Sequence, residues 1–179
     1  MTIVEDTGQK LGQHTNVSEW CQANGVILRR QKLNVGDYQA VPSIAVDTKK
    51  GMAEIYQDLI QEHERFRNEC IRAQQDGILL VFLIEDTQIK TMEEAKHWRN
   101  PRVEKYNREY GLIAHAQKAG KMLNHKIPKP PVPSDRLVGM MDAMEIKYGC
   151  KFVFCHPSET GQRIYDILTG GETRLLNNS

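Results

Sequence analysis

Several protein classes are excluded by what this sequence lacks. Its longest unbroken apolar run is the seven residues Ile78 to Ile84, far short of the roughly 20 that cross a bilayer as a helix, so no helical membrane span is expected. The first ten residues carry Glu5 and Asp6 where a signal peptide would have a basic start and an apolar stretch, which points to a cytoplasmic protein. Four cysteines in 179 residues fall within helix-like and strand-like patterns and are too sparse for a disulfide framework, so reduced thiols are expected. There is little surplus charge: 24 Lys and Arg stand against 23 Asp and Glu, a net charge of +1. The chain therefore lacks the overall basic field of many nucleic-acid binders, and any such role must come from a local patch.

The rest of the composition is ordinary for a folded protein, at 40% hydrophobic and 26% charged residues, and the length suits a single domain, 1–179. Thr2 to Asp6 reads as a strand. Ser18 can cap a helix starting near Glu19 and closed by Gly25. Val26 to Arg30 reads as a second strand, and a hairpin follows whose first arm is Leu33 to Ala40 and whose turn holds Pro42 and Ser43. From Met52 to about Gln75 the apolar positions, with His63 among them, recur every three or four residues and predict one long one-faced helix. The run ILLVFLI after Gly77 has the length and β-branched content of a central strand covered on both faces. A helix over 135–148 with Ser134 as its cap, a strand over Lys151 to Cys155, and a helix from Ser158 to near Gly170 complete an alternating α/β order. Residues 86–134 differ in being basic and ending in KIPKPPVP, and read as an insertion.

The strongest chemical feature is the segment LNVGDYQAVPSIAVDTKK. Residues two apart on a strand share a face, so Asp47 and Lys49 point the same way, and a hairpin can bring Asp37 alongside them. Two carboxylates and an ammonium suit phosphodiester hydrolysis: carboxylates hold Mg2+ in an open octahedral site, and the lysine can orient or deprotonate water or neutralise developing charge. The competing reading is a surface hairpin with a plain cross-strand salt bridge.

The series V-E-D-T, L-N-V-G-D-Y, V-D-T-K, R-F-R-N-E-C-I and L-I-E-D, in this order and spacing, resembles the XPF-type nuclease domain of the PD-(D/E)XK superfamily, which cuts branched DNA beside the junction. The resemblance covers residues 3–86, and 135–169 resemble the end of the same domain. It implies a restriction-endonuclease-like α/β fold with a central mixed sheet flanked by helices. It also implies that Asp37 and Asp47 bind metal with the Thr48 backbone carbonyl as a third oxygen, that Lys49 is the catalytic lysine, that Asp6 is the first-strand acid, and that Arg65 meets a DNA phosphate. The chain departs from the family signature by having Asp47, Thr48 and Lys49 in place of Glu-Arg-Lys, and Gly8 and Gln9 in place of Arg-Glu. The family's next acid falls at Ala53, which makes neighbouring Glu54 the candidate ligand. No tandem helix-hairpin-helix module is expected beside the domain, which resembles the small solo forms typical of phages and prophages.

Residues 110–133 contain no Asp or Glu but hold Lys118, Lys121, Lys126 and Lys129, with Arg99, Arg102 and Arg108 just upstream. This local patch could track a phosphate backbone, with Trp98 or Tyr106 stacking on an unpaired base; a solvated helix and Pro-rich loop is the alternative. Cys150, Cys155 and His156 lack a paired partner elsewhere for zinc, so core thiols are the better reading. The expectation is a metal-dependent endodeoxyribonuclease using Mg2+, or Mn2+, on branched or flap DNA. The alternatives are a catalytically silent DNA-binding or scaffold module and a Holliday-junction resolvase. A homodimer is expected, with the apolar faces of the last two helices (Leu137, Met140, Met141, Met144; Ile164, Ile167, Leu168) divided between a two-fold contact and the core.

Overall fold

A computed structural model describes residues 1–10, 12, 14–120 and 126–170. Six strands form one mixed sheet in the order β2-β1-β3-β4-β5-β6. They are β1 (Thr2–Asp6), β2 (Ile27–Gln31), β3 (Tyr38–Val41), β4 (Ile44–Lys49), β5 (Leu79–Glu85) and β6 (Lys151–Cys155). β3 runs antiparallel to β1 and β4, while β1–β2, β4–β5 and β5–β6 are parallel pairs. The fold is therefore α/β with a mixed sheet, as the motif order implied. No helix among the described residues is long and apolar enough to cross a membrane.

The period-2 alternation of β4 and β5 divides the molecule into two cores. Ala45, Leu80, Phe82 and Ile84 face α2 (Met52–Tyr56), α3 (His63–Gln75) and α6 (Ser134–Tyr148). Val46, Val81 and Leu83 face α1 (Thr15–Ala23) and α7 (Thr160–Leu168). Phe66 of α3, Phe82 of β5 and Phe152 of β6 stack, with centroids 4.5 and 5.1 Å apart for successive rings. On the opposite layer α1 and α7 cross closely at Gly161, where an added Cβ would lie 2.5 Å from that of Trp20; only glycine permits this approach.

Several local expectations are corrected. Helix α1 starts at Thr15, because Ser18 bonds its hydroxyl back to the Thr15 carbonyl at 2.9 Å instead of capping. The first arm of the hairpin begins at Tyr38, since Gly36 turns the chain at φ 70°. The helix read over 52–75 is split by a π-helical turn, Gln57–Gln61, between α2 and α3. The extra residue in that turn shifts the helical phase, so His63 is exposed and not on the buried face. β5 is covered on both faces but lies next to the edge strand β6. Ser134 donates to the Trp98 carbonyl at 2.6 Å and leaves the α6 cap to Pro133. Leu137, Met141, Met144, Ile164, Ile167 and Leu168 all belong to the protein's own core, so the apolar faces offered for a two-fold contact are largely used within the chain.

The segment 86–134, read from sequence as an insertion, carries α4 (Met92–Ala95) and α5 (Pro101–Lys118). Its two ends are tied together where Asn100, which caps α5 through the Arg102 amide, donates to the Val132 carbonyl at 3.1 Å. Tyr56 completes the anchor, accepting the Val132 amide at 3.3 Å and holding the Arg102 guanidinium 4.6 Å above its ring. Beyond this root α5 buries no residue, and Leu112 is 90% exposed.

Candidate active site

The chemistry-bearing residues gather where β1, β3 and β4 meet the N-terminal part of α3. Asp37 immediately precedes β3 and extends its ladder: its amide donates to the Val46 carbonyl at 2.8 Å, and its carbonyl accepts the Asp6 amide at 2.7 Å. Its carboxylate turns onto β4, where Oδ2 accepts both the amide of Thr48 at 2.9 Å and the Thr48 hydroxyl at 2.7 Å. Asp47 and Lys49 share the α3-facing side of the sheet, as strand alternation requires, with Lys49 Nζ 3.0 Å from Asp47 Oδ1. The floor beneath them is apolar, for Lys49 Nζ lies 5.8 and 5.7 Å from the Phe66 and Phe82 ring centres.

Asp47, Thr48 and Lys49 are all buried. Burial pushes the Asp47 carboxyl well above the usual carboxylate range; Lys49 opposes the shift, while Asp37 and Glu69 add to it. Burial would favour a neutral Lys49, but Asp47 and then Asp58 hold the ammonium charged, far above the ordinary lysine range. Asp58 was not singled out from sequence. It comes from the π-helical turn, is 2% exposed, and places Oδ2 3.0 Å from Lys49 Nζ and Oδ1 3.2 Å from Arg65 Nη2. Arg65 also pairs with Glu62 at 2.7 Å, which ties the buried charges to the exposed start of α3.

A cleft of about 380 Å3 opens above this network. Asp6, Asp37, Asp47, Thr48, Lys49, Glu54 and Arg65 all line it, and so do Lys32, Glu69 and Arg72, none of which stood out in the sequence. The signal for Glu69 and Arg72 was present: with Arg65 they recur at the three- and four-residue spacing of one helix face. Glu69 accepts the Gly36 amide at 3.0 Å and so braces the turn that carries Asp37. Asp6 has both oxygens engaged, Oδ1 by the Leu33 amide at 2.8 Å and Oδ2 by the Gly8 amide and Lys32 Nζ, each at 3.1 Å. Burial works against its ionisation, yet the Leu33, Lys32 and Gly8 donors together hold its pKa below the usual value. Glu54 directs Oε2 at the Lys50 amide, 2.8 Å away, bracing the entry to α2. The proposed DNA-binding residues of the insertion stand elsewhere. Arg99 pairs with Glu104 at 2.8 Å, Arg102 packs on Tyr56, and Lys118 and Lys126 are exposed outside the cleft; Lys121 lies outside the described residues.

Among the described residues, no three His, Cys, Asp or Glu side chains are already arranged around a metal position. The donors nonetheless fit Mg2+, which is held by one or two carboxylates and keeps several waters. Asp37 Oδ2 is fixed by Thr48, and the burial of Asp47 beside two further carboxylates leaves negative charge that a divalent cation would offset.

A mixed six-stranded sheet thus carries Asp-X-Lys on a buried strand, with a second acid across the hairpin. The chain belongs to the ERCC4 domain family, which it matches over residues 6–167, and is an XPF-type nuclease domain. Among solved structures it is similar to XPF from Aeropyrum pernix, at 17% identity and a TM-score of 0.58, over 99% of this chain and 68% of that one. It is also similar to that protein in complex with DNA, at 14% identity and a TM-score of 0.58, over 97% and 66% of the two chains. No curated protein matches the sequence.

Proposed function

We propose that this chain is a Mg2+-dependent endonuclease that hydrolyses phosphodiester bonds in branched or flap DNA, leaving a 5′-phosphate and a 3′-hydroxyl. The single observation that carries the reading is the buried Asp47–Lys49 pair at 3.0 Å, with the Asp37 carboxylate anchored on the residue between them, in a chain of the ERCC4 family. Asp37, Asp47 and the Thr48 carbonyl would hold the ion, and Mn2+ could substitute. When bound, Mg2+ polarises the phosphate and makes water a stronger nucleophile.

Lys49, flanked by two carboxylates, acts as a fixed ammonium that orients the attacking water and neutralises charge developing on the phosphate. Arg65 on the rim engages a phosphate of the DNA backbone. Water forms the new P–O bond and gives up a proton to bulk solvent as the bond to the 3′ oxygen breaks, and that oxygen leaves with a proton drawn from solvent. Asp6 serves the site by holding Lys32 and the residue 31–33 loop against the cleft. The insertion contributes electrostatic attraction to DNA through Lys118, Lys121 and Lys126 with Arg99.

The protein acts in the cytoplasm as a homodimer. Gly139, Met140 and Ala143 support the dimer by forming a largely apolar concavity on the outer side of α6; sedimentation of Met140→Glu as a monomer against a wild-type dimer would support it, and a monomeric wild type would refute it.

The test is incubation of the protein with labelled flap, fork, four-way and plain duplex DNA in Mg2+, Mn2+ or Ca2+. Cutting near branch points in Mg2+ is expected, with activity falling about 100-fold or more in Asp47→Asn and in Lys49→Gln, the fold of each variant being checked by circular dichroism. Full activity in folded variants, or no cutting of any substrate by the wild type, would overturn the reading.

A further inference from the structure

Thr48 occupies the position where the family signature has arginine, and its side chain points away from Asp47 and Lys49, toward the layer of α1 and α7, as strand alternation dictates. There it meets His14, which is 8% exposed and lies at the start of α1. His14 makes no side-chain capping bond to its own helix. Its ring instead packs edge-on against Tyr38, with centroids 6.3 Å apart and planes at 83°, and its Nε2 lies 3.5 Å from Thr48 Oγ1.

The Thr48 hydroxyl has one proton, and the 2.7 Å contact commits it to Asp37 Oδ2. Toward His14 that oxygen can only accept, so in the tautomer with hydrogen on Nε2 the bonds run one way: His14 Nε2–H to Thr48 Oγ1, and Thr48 O–H to Asp37 Oδ2. The Thr48 amide holds the same Oδ2 at 2.9 Å. One oxygen of Asp37 is thus fixed by two donors, and no hydrogen bond among the described residues engages Oδ1.

We infer that the Thr48 hydroxyl, backed by His14 from the far side of the sheet, is a positioning group that holds Asp37 in its cation-binding orientation. The inference rests on the metal-dependent reading of the site, and it assigns the family's arginine position a different task in this chain. Outer-shell hydrogen bonds of this kind fix a ligand's direction before the ion arrives.

The experiment measures Mn2+ binding to the DNA-free protein by loss of the free-ion electron paramagnetic resonance signal, for wild type, Thr48→Ser, Thr48→Val and His14→Phe. Valine keeps the shape of threonine with a methyl in place of the O–H, so the variant should fold, as checked by circular dichroism, with a Tm lowered by several degrees for the lost buried hydrogen bonds. Thr48→Val should weaken Mn2+ about 10-fold or more, His14→Phe should weaken it in the same direction by less, and Thr48→Ser should restore wild-type affinity. Wild-type Mn2+ affinity in Thr48→Val, or a loss in Thr48→Ser equal to that in Thr48→Val, would overturn the clamp while leaving the nuclease reading intact. A wild type that binds no Mn2+ would overturn the metal site and the clamp together.

Discussion

Asp58 and Lys49 form a buried ion pair, 3.0 Å between Oδ2 and Nζ, although eight residues and a change of secondary structure separate them. The side chains are 3% and 7% exposed, so neither charge has water to replace its partner. Asp58 lies in the π-helical turn, three residues beyond the buried Ile55 and on the same face.

Removing the acid from this pair should be expensive. Asp58→Asn is expected to lower unfolding free energy by roughly 3 kcal/mol, the scale for breaking a buried pair on one side, as read from urea melts. DNA cleavage under single-turnover conditions should fall at least about 10-fold, and the double variant Asp58→Asn with Lys49→Gln should cut no more slowly than Lys49→Gln alone. Independent, additive losses would show that Asp58 does not act through the lysine.

The exposed lysines of the insertion should govern salt dependence and leave the chemistry alone. Replacing Lys118 and Lys126 together by Ala should weaken binding to flap DNA and reduce the slope of log affinity against log salt by about 1 to 2, with the cleavage rate of bound DNA unchanged. Arg102→Ala should behave differently, since its guanidinium packs over Tyr56 at the root of the insertion. Its signature is a drop in thermal stability. A salt slope unaltered by the double lysine change would remove the insertion from the DNA contact.

Asp6→Asn tests the loop that closes one end of the cleft. The carboxylate accepts from the Leu33 and Gly8 amides and pairs with Lys32, so its loss should cost about 1 to 3 kcal/mol of stability. The native pKa lies below the usual 3.8. A depressed acid stabilises the fold above its unfolded pKa and loses that contribution as pH falls through the native one. The gap between wild type and Asp6→Asn should therefore be full above about pH 5 and close below about pH 4. A gap independent of pH over that range would contradict the role of the ionised group.

The site was partly legible because strand periodicity is strict. Asp47 and Lys49 share a face of β4 wherever that strand is placed, and the ten-residue spacing to Asp37 across a Pro-containing turn brings the second acid close. Asp58 was hidden because the 3.6-residue pattern from Met52 to Gln75 runs unbroken through the π turn in sequence, and its extra residue appears only when the chain packs. Ser18 was misleading for a related reason: it has the chemistry of a helix start, but its hydroxyl bonds back within the helix. The paired apolar faces of α6 and α7 looked equally suited to a partner or a core, and the two-layer packing took most of them for the core.

By itself the sequence determined the alternation of strand and helix, the identity of the Asp37, Asp47 and Lys49 group, and the basic insertion, because periodicity, turn chemistry and charge are local properties. Only the tertiary structure decided which partners those charges have. Asp58 and Arg65 arrive from the α3 side of the sheet, and His14 from the α1 side. Such contacts depend on which layer each helix covers and on the phase in which it arrives, and both are set by the packing of distant apolar residues rather than by any spacing along the chain.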